Sequence, residues 1–373
     1  MPVTDVTSGQ TYATLSDAIT GSSAGDVIDV PAGTYVENFP DISHSLTIQS
    51  SGGMAYLSNP QPDPPNTRAI INVPGNANVS LTLSGLDISG ANNDITHPAS
   101  IGGSNGAGIL FESGNGALSV LNSHIHNNQD GILTGGTTSA STGGMTVSIV
   151  NSEIDHNGLP QSNPRYGFDH NLYIGDADQL TVTGSYIHDA AGGHEIKTRA
   201  HASSITGNRI FSLDGADSYA IDLADGGNNI VQNNVIEKGA NSAQARFVDF
   251  GGEGTYLFSS LLLDSNSFIN DDITGSLGGN AIALMNASFD YVFFAPDAAD
   301  ITNNLFYGPI DPYQDVYAPP YDTLANNQFL PLSAAPPLDT SPPFDVPAPG
   351  MGAVLLLAAV VTRLRRRGGC RTA

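Results

Sequence analysis

The chain has 373 residues, 40% of them hydrophobic, with 42 glycines, no tryptophan and a formal net charge of −24. That length suits one large domain or two ordinary ones, and the charge excludes nucleic acid as a partner, because a phosphate polymer needs a basic surface. The only cysteine, Cys370, rules out an intrachain disulfide framework.

The N-terminus, Met1-Pro2-Val3-Thr4, shows neither a charged nor an apolar leader region, so no signal peptide is visible. From residue 122 onward a short pattern returns: a Gly, Ser or Asn pair, one variable residue, then an apolar residue. It reads Asn122-Ser123-His124-Ile125, Asn151-Ser152-Glu153-Ile154, Gly184-Ser185-Tyr186-Ile187 and Gly207-Asn208-Arg209-Ile210, and it continues to Ile236, Phe268 and Phe306. Its apolar anchors are 29, 33, 23, 26, 32 and 38 residues apart. A second ladder interleaves with the first through Ile109, Ile132, Leu172, Ile196, Ile221, Val248 and Ile282. Each anchor sits in a short alternating run, a strand signature. Repeats of this length predict an all-β fold, a parallel β-helix of stacked coils. A β-sandwich would not require them. Asn at one turn position fits, since it tolerates left-handed angles and its amide can bond between coils.

The run Ala24-Gly25-Asp26-Val27-Ile28-Asp29-Val30-Pro31-Ala32-Gly33-Thr34-Tyr35 resembles the first coil of pectate-lyase-like proteins. The segment from His170-Asn171-Leu172-Tyr173-Ile174-Gly175 to Ile221-Asp222-Leu223 resembles a bacterial subgroup of them. The resemblance spans most of residues 10–310 and implies a right-handed parallel β-helix, a fold that hosts lyases, hydrolases, epimerases, esterases and non-enzymes.

Only two lysines occur, Lys197 and Lys238. Before the C-terminal arginines there are seven bases against 36 acids, a body charge of 7 − 36 = −29. Placing Lys197 and Arg199 two residues apart on one strand, hence on one face, therefore marks a candidate site. Alternation about Ile196 sends Glu195, Lys197 and Arg199 outward and His194 inward. Stacking Leu172, Ile196 and Ile221 aligns Tyr173, Lys197 and Asp222 in an outward column, continued by Asp249, with Asn171 also outward. Such a column suits removal of the C5 proton of a uronic acid. Lys197, its pKa lowered beside Arg199, would be the base and Arg199 the carboxylate clamp. Tyr173 or His194 would handle the second proton, and Asp222 and Glu195 would orient Lys197. Arg165, His170 and Asn171 complete the substrate-binding candidates.

Tyr166-Gly167-Phe168-Asp169-His170 is similar to the Tyr-Gly-Phe-Asp-Pro-His motif of mannuronan C5-epimerases, with Asp and His adjacent here. The resemblance to polysaccharide lyases of this fold, in which outward Lys and Arg serve as base and acid, implies β-elimination or C5 epimerisation on an acidic polysaccharide. Two alternatives stand beside it. Asp222, Asp249 and Glu253 would suit a glycoside hydrolase. A non-catalytic surface or matrix protein that binds polysaccharide would instead carry Glu195, Lys197 and Asp222 as a solvated salt-bridge ladder of little energetic weight. The body charge repels a polyuronate, which favours a neutral polymer or bridging cations. No cofactor motif is present. Outward acids offer oxygens that suit Ca²⁺. His124, His126, His156 and His188 follow the repeat anchors, are assigned to coil corners and show no metal-ligand spacing.

The repeat fades near 310, giving three regions: the β-helix over 1–310, a linker over 311–345 and a tail over 346–373. Residues 331–349 hold seven prolines. The tail runs from Val346-Pro347-Ala348-Pro349-Gly350 through the apolar stretch 351–361 to Arg363-Leu364-Arg365-Arg366-Arg367. It is similar to PEP-CTERM sorting signals, which implies handling by an exosortase-type membrane enzyme and a secreted or cell-surface β-helix in a Gram-negative envelope. An apolar helix of eleven or so residues spans only about 17 Å, short of the ~30 Å membrane core, so the contact is expected to be transient, with the arginines cytoplasmic.

Overall fold

The structure is a computed structural model and describes residues 2–59, 69–75, 78–91, 106–135, 144–163, 166–244, 246–254, 256, 258–271, 282–284, 298–310 and 323–344. Its start is a cap. Strands Val3–Asp5 and Gln10–Tyr12 pair antiparallel, and the helix Leu15–Gly21 buries Leu15, Ala18 and Ile19. Thr14 caps that helix by accepting from Asp17 N–H at 3.0 Å. From Asp26–Val36 onward the pairings between coils are parallel.

Each coil contributes strands to three walls. Wall I holds Ala107–Phe111, Asp130–Thr134, Leu172–Ile174, Ile196–Thr198, Ile221–Leu223 and Val248–Phe250. Wall II includes Gln179–Thr183, Ala202–Thr206, Asn228–Gln232 and Ser260–Asp264. Wall III includes His124–His126, Glu153–Asp155, Tyr186–His188, Arg209–Phe211 and Val235–Lys238. The two apolar ladders of the sequence are its inner surface. Ile132, Leu172, Ile196, Ile221 and Val248 are register partners in turn. So are Ile125, Ile154, Ile187, Ile210, Ile236, Phe268 and Phe306. All belong to one buried core, whose removal from water drives the stacking.

The turn from wall II to wall III explains the repeated pair. Its first residue takes a left-handed backbone: Asn122 has φ 47°, Asn151 47°, Gly184 61°, Gly207 67° and Asn233 58°. Its second residue forms a buried ladder. Ser185 N–H donates to Asn208 Oδ1, and Asn208, Asn234, Asn266 and Asn304 each donate their N–H to the next Asn Oδ1 at 2.8–3.0 Å. Every rung satisfies backbone groups that the turn would otherwise bury unpaired. Asn234→Ala removes the acceptor of Asn208 N–H and Nδ2–H together with a donor to Ile205 O. It is expected to lower stability by about 1–3 kcal/mol, read as a reduced urea midpoint at unchanged slope.

The rod does not end at 310. Thr323–Ala325 pairs with Ala298–Thr302, Gln328–Leu330 pairs with Leu305–Tyr307, and Asn327 adds another rung at 3.0 Å. The fading pattern reflects a change of residues at the anchors, with Phe329 stacked on Phe306 at 5.1 Å. Beyond it, the segment through 344 returns to wall III. There the Arg209 guanidinium donates to the carbonyls of Asp339 and Ser341, both at 2.6 Å. Residues 311–322 and the tail 346–373 lie outside the described residues. Among the described residues no helix is long and apolar enough to cross a membrane.

Candidate functional site

Tyr173, Lys197, Asp222 and Asp249 are register partners on wall I and form the expected column. Three-residue strands set this up: Leu172, Ile174, Ile196, Ile221 and Leu223 point into the core, so the middle residue points out. Lys197 Nζ lies 3.1 Å from Asp222 Oδ2 and also bonds Glu253 Oε1. Arg199 donates from Nε to Tyr173 Oη at 3.2 Å, from Nη1 to Asp225 Oδ1 at 2.6 Å, and from Nη2 to Glu253 Oε2. One step along, Arg246 Nη1 reaches Asp249 Oδ1 at 2.9 Å and Tyr219 Oη at 3.0 Å. Glu253 comes from the turn Gly251-Gly252-Glu253-Gly254, and its carboxylate bridges both cations of the Lys197 strand.

The electrostatics reverse one expectation. Burial works against the Lys197 ammonium, but Asp222 and Glu253 outweigh it and hold its pKa above the ordinary lysine range. Lys197 is therefore a charged anchor and not a lowered-pKa base. Arg199 is likewise held above its usual range: burial opposes its charge, and Tyr173, Asp225 and Glu253 more than offset it. The perturbed acids are the aspartates. Burial pushes Asp222 up to about 6 despite Lys197, and burial with the neighbouring Asp222 charge pushes Asp249 up to about 7 despite Arg246. Glu253, half-exposed, is held below its usual range by Lys197 and Arg199 although burial opposes this.

His194 is not an inward core residue. It precedes its strand, so alternation does not reach it. It stacks between His170 at 4.8 Å and Tyr219 at 4.7 Å, and its Nε2 faces Asp222 Oδ2 at 3.4 Å. Its Nδ1 accepts from Tyr219 N–H at 3.0 Å, which leaves the Nε2 proton for Asp222. Burial holds His194 well below 6.5 and His170 down at about 3, with the Lys197 charge adding to both, so the pair is neutral. Gly193 permits the stack. A Cβ there would lie 2.0 Å from Asp169 O and 2.5 Å from His170 Nδ1, where His194 N–H now donates at 2.8 Å.

Glu195 and Asn171 also leave the outward face. Both are fully buried turn residues. Asn171 Oδ1 accepts from Asn157 at 2.9 Å, and the Glu195 carboxyl accepts from Ala190 N–H at 2.9 Å and from Asn171 Nδ2. They satisfy a turn beside wall I and do not orient Lys197. Asp169 is buried against Gln129 Nε2 at 3.1 Å, whereas His170 Nδ1 accepts from His194 N–H at 2.8 Å, so these contacts of the two side chains are separate. Arg165 lies outside the described residues. Asp225, Arg246, Tyr219 and Tyr256 join the site without having been singled out. Tyr256 Oη donates to Arg199 O at 2.6 Å. A groove of about 450 Å³ lies elsewhere, over wall II between Gln179 and Asp300, and among the described residues Asp300 is the only titratable group lining it.

His124, His126 and His188 sit within strands of wall III and not at coil corners; only His156, with φ 49°, occupies a turn.

The family model described as right handed beta helix region matches residues 107–306. Among solved structures, the chain is similar to the pectin methylesterase from Aspergillus niger in deglycosylated form, at 16% identity and TM-score 0.43, covering 75% of this chain and 88% of that one. The penultimately deglycosylated form of the same enzyme gives 15% identity, TM-score 0.44 and the same coverage. No curated protein matches the chain.

Proposed function

Since the chain belongs to the right-handed β-helix family, we propose that it is a carbohydrate-active protein that performs acid–base chemistry on a polysaccharide lying along wall I. The observation that carries this reading is the Asp222–Asp249 pair: two register-matched carboxyls pushed up to about 6 and about 7, beside Lys197, His194 and Arg246. Paired acids with separated pKa values are the requirement for general acid–base work near neutrality. The cations are already matched by Asp222, Asp225, Asp249 and Glu253, so a neutral glycan meets no uncompensated charge.

In this reading Asp249 is the acid and Asp222 the carboxylate, held by Lys197 and His194. Asp249 gives its proton to the leaving glycosidic oxygen as Asp222 attacks the anomeric carbon. Water then cleaves that bond, and Asp249 recovers the proton. Adjacent strands separate the two side chains by about 4.8 Å at their base, closer to the ~5–5.5 Å of retaining enzymes than to the ~6.5–9.5 Å of inverting ones. Incubation with neutral and acidic polysaccharides tests this: reducing ends should appear with retained anomeric configuration, and no release from any polymer would refute it.

The sign of the pH dependence follows. Activity needs Asp222 ionised and Asp249 protonated, so kcat/KM should rise through about pH 6 and fall through about pH 7. A flat profile from pH 5 to 8 would contradict the assignment.

A second reading rests on Glu253. Its carboxylate bridges Lys197 and Arg199 as a uronate carboxylate would. Displaced by substrate, it would leave those cations to neutralise the sugar acid, with Asp249 removing the C5 proton and Tyr173 supplying another. That is β-elimination or C5 epimerisation with the base moved from Lys197 to an aspartate. An ultraviolet-absorbing product, or deuterium entry at C5, would select it.

The tail supports export and sorting by an exosortase-type enzyme, with the β-helix outside and membrane contact transient. Truncation after residue 345 should release the protein into the medium of a host that carries the sorting machinery.

A further inference from the structure

Wall III carries a second cluster that the proposed reaction does not use. Strand Leu86–Ser89 pairs parallel with His124–His126 on this wall, and alternation points Asp87, His124 and His126 outward around the buried Ile88 and Ile125, with Asp87 and His124 in register. His124 Nδ1 lies 3.3 Å from Asp87 Oδ2, and His126 Nε2 lies 3.1 Å from Asp87 Oδ1. One donor atom from each of the three residues falls within 4.8 Å of the others. The two imidazoles stack at 4.0 Å, so both edges turn toward the same carboxylate. Tetrahedral coordination at about 2.0–2.1 Å places neighbouring donors roughly 3.3 Å apart, and each imidazole nitrogen lies near that distance from one oxygen of Asp87, His124 Nδ1 from Oδ2 and His126 Nε2 from Oδ1.

The outer contacts carry the argument further. Each imidazole aims one nitrogen at Asp87 and has the other held by a separate group. His124 Nε2 meets Asp155 Oδ1 at 2.5 Å, and His126 Nδ1 lies 2.6 Å from Asn127 Nδ2. His124 has the arrangement a ligating histidine needs: an outer acceptor takes the distal N–H, fixes the tautomer and frees the other nitrogen for a metal. The Asn127 amide would serve His126 likewise with its oxygen turned toward the ring. His124 and His126 keep side-chain exposures of 23% and 21%, so solvent reaches the cluster.

We propose that Asp87, His124 and His126 form a binding site for one divalent transition-metal ion of the zinc class, with Asp155 and Asn127 as outer supports. Two imidazoles and a carboxylate favour zinc, cobalt, nickel or copper over calcium or magnesium, which take all-oxygen sets. Three protein donors leave a tetrahedral ion one further position, for water or a sugar hydroxyl. The rival account is an imidazolium–carboxylate network with no ion.

The test is zinc chloride titrated into the full chain at neutral pH by calorimetry, with bound metal counted after dialysis. The expected result is saturable uptake that calcium does not displace, and cobalt in place of zinc should give the intense visible bands of a tetrahedral centre. His126→Ala, at a partly exposed position, should weaken zinc binding more than tenfold. Asp155→Asn should weaken it about 10–100-fold, and His44→Ala should leave it unchanged. Circular dichroism of each variant separates lost binding from lost fold. No saturable zinc uptake, or equal affinity in the parent, His126→Ala and Asp155→Asn, would overturn the proposal in favour of the ion-free network.

Discussion

Asp249→Asn is expected to lower kcat by about 10²–10⁴-fold, the usual contribution of a positioned acid, with little change in KM. Asparagine keeps the shape, and its amide oxygen still accepts from Arg246 Nη1, so the strand Val248–Phe250 should be undisturbed. What is lost is the proton that burial and Asp222 keep on Asp249 near neutrality. In the parent, Asp249 is still protonated where Asp222 titrates, so the acidic limb of any residual activity should stay near pH 6 while the alkaline limb is lost. Steady-state kinetics across pH, with circular dichroism as the fold check, measure both effects. Full activity in this variant would remove Asp249 from the reaction.

Lys238→Met should produce the largest loss of stability, about 3–5 kcal/mol. Lys238 and Asp217 are both fully buried, their Nζ–Oδ2 contact is 2.5 Å, and Lys238 Nζ also donates to Ser218 O at 2.8 Å. Methionine fills most of the volume but leaves the Asp217 carboxylate in the interior without its counter-charge. Two buried carboxyls, Glu195 and Glu237, register the Asp217 charge. Burial holds Glu195 well above its usual range and Glu237 up at about 8, with the Asp217 charge adding to both. Adding Asp217→Asn to Lys238→Met removes the orphaned charge, so the double variant should recover much of the loss. Urea denaturation of the parent, the single variant and the double variant measures this. A single variant within 1 kcal/mol of the parent would show that the ion pair is not holding the segment at Asp217-Ser218 to the strand Val235–Lys238.

The rod and the column were legible because both depend on periodicity alone. Ile196, Ile221 and Val248 anchor strands of three residues, and their spacing fixes the register that lines up Tyr173, Lys197, Asp222 and Asp249. Alternation misleads beyond the strand ends. Ile196–Thr198 is preceded by a turn, so His194 reaches the site and Glu195 is buried, the reverse of a parity count. Asn171 fails for the same reason, serving a ladder of amides.

The partners of Lys197 and Arg199 were only half visible. Glu253 approaches from a loop 56 residues beyond Lys197, and no strand period places it. Its signal was an acid flanked by glycines in a chain whose cations are scarce. The raised pKa values of the aspartates follow from burial, which sequence does not give. The histidines of wall III carried a readable signal, His124 and His126 two residues apart on one strand, but their carboxylate partners lie 31–39 residues away on neighbouring coils.

The central claim is that Asp222 and Asp249 hold a proton between them near neutral pH. Carbon-13 labelling of the aspartate carboxyls, followed by nuclear magnetic resonance as pH is raised from 3 to 9, reads this without any substrate. The account predicts two signals, assigned through Asp222→Asn and Asp249→Asn, with apparent midpoints near 6 and 7. If both carboxyls instead titrate with ordinary aspartates near about 3.9, wall I carries a salt-bridge ladder and not an acid–base site.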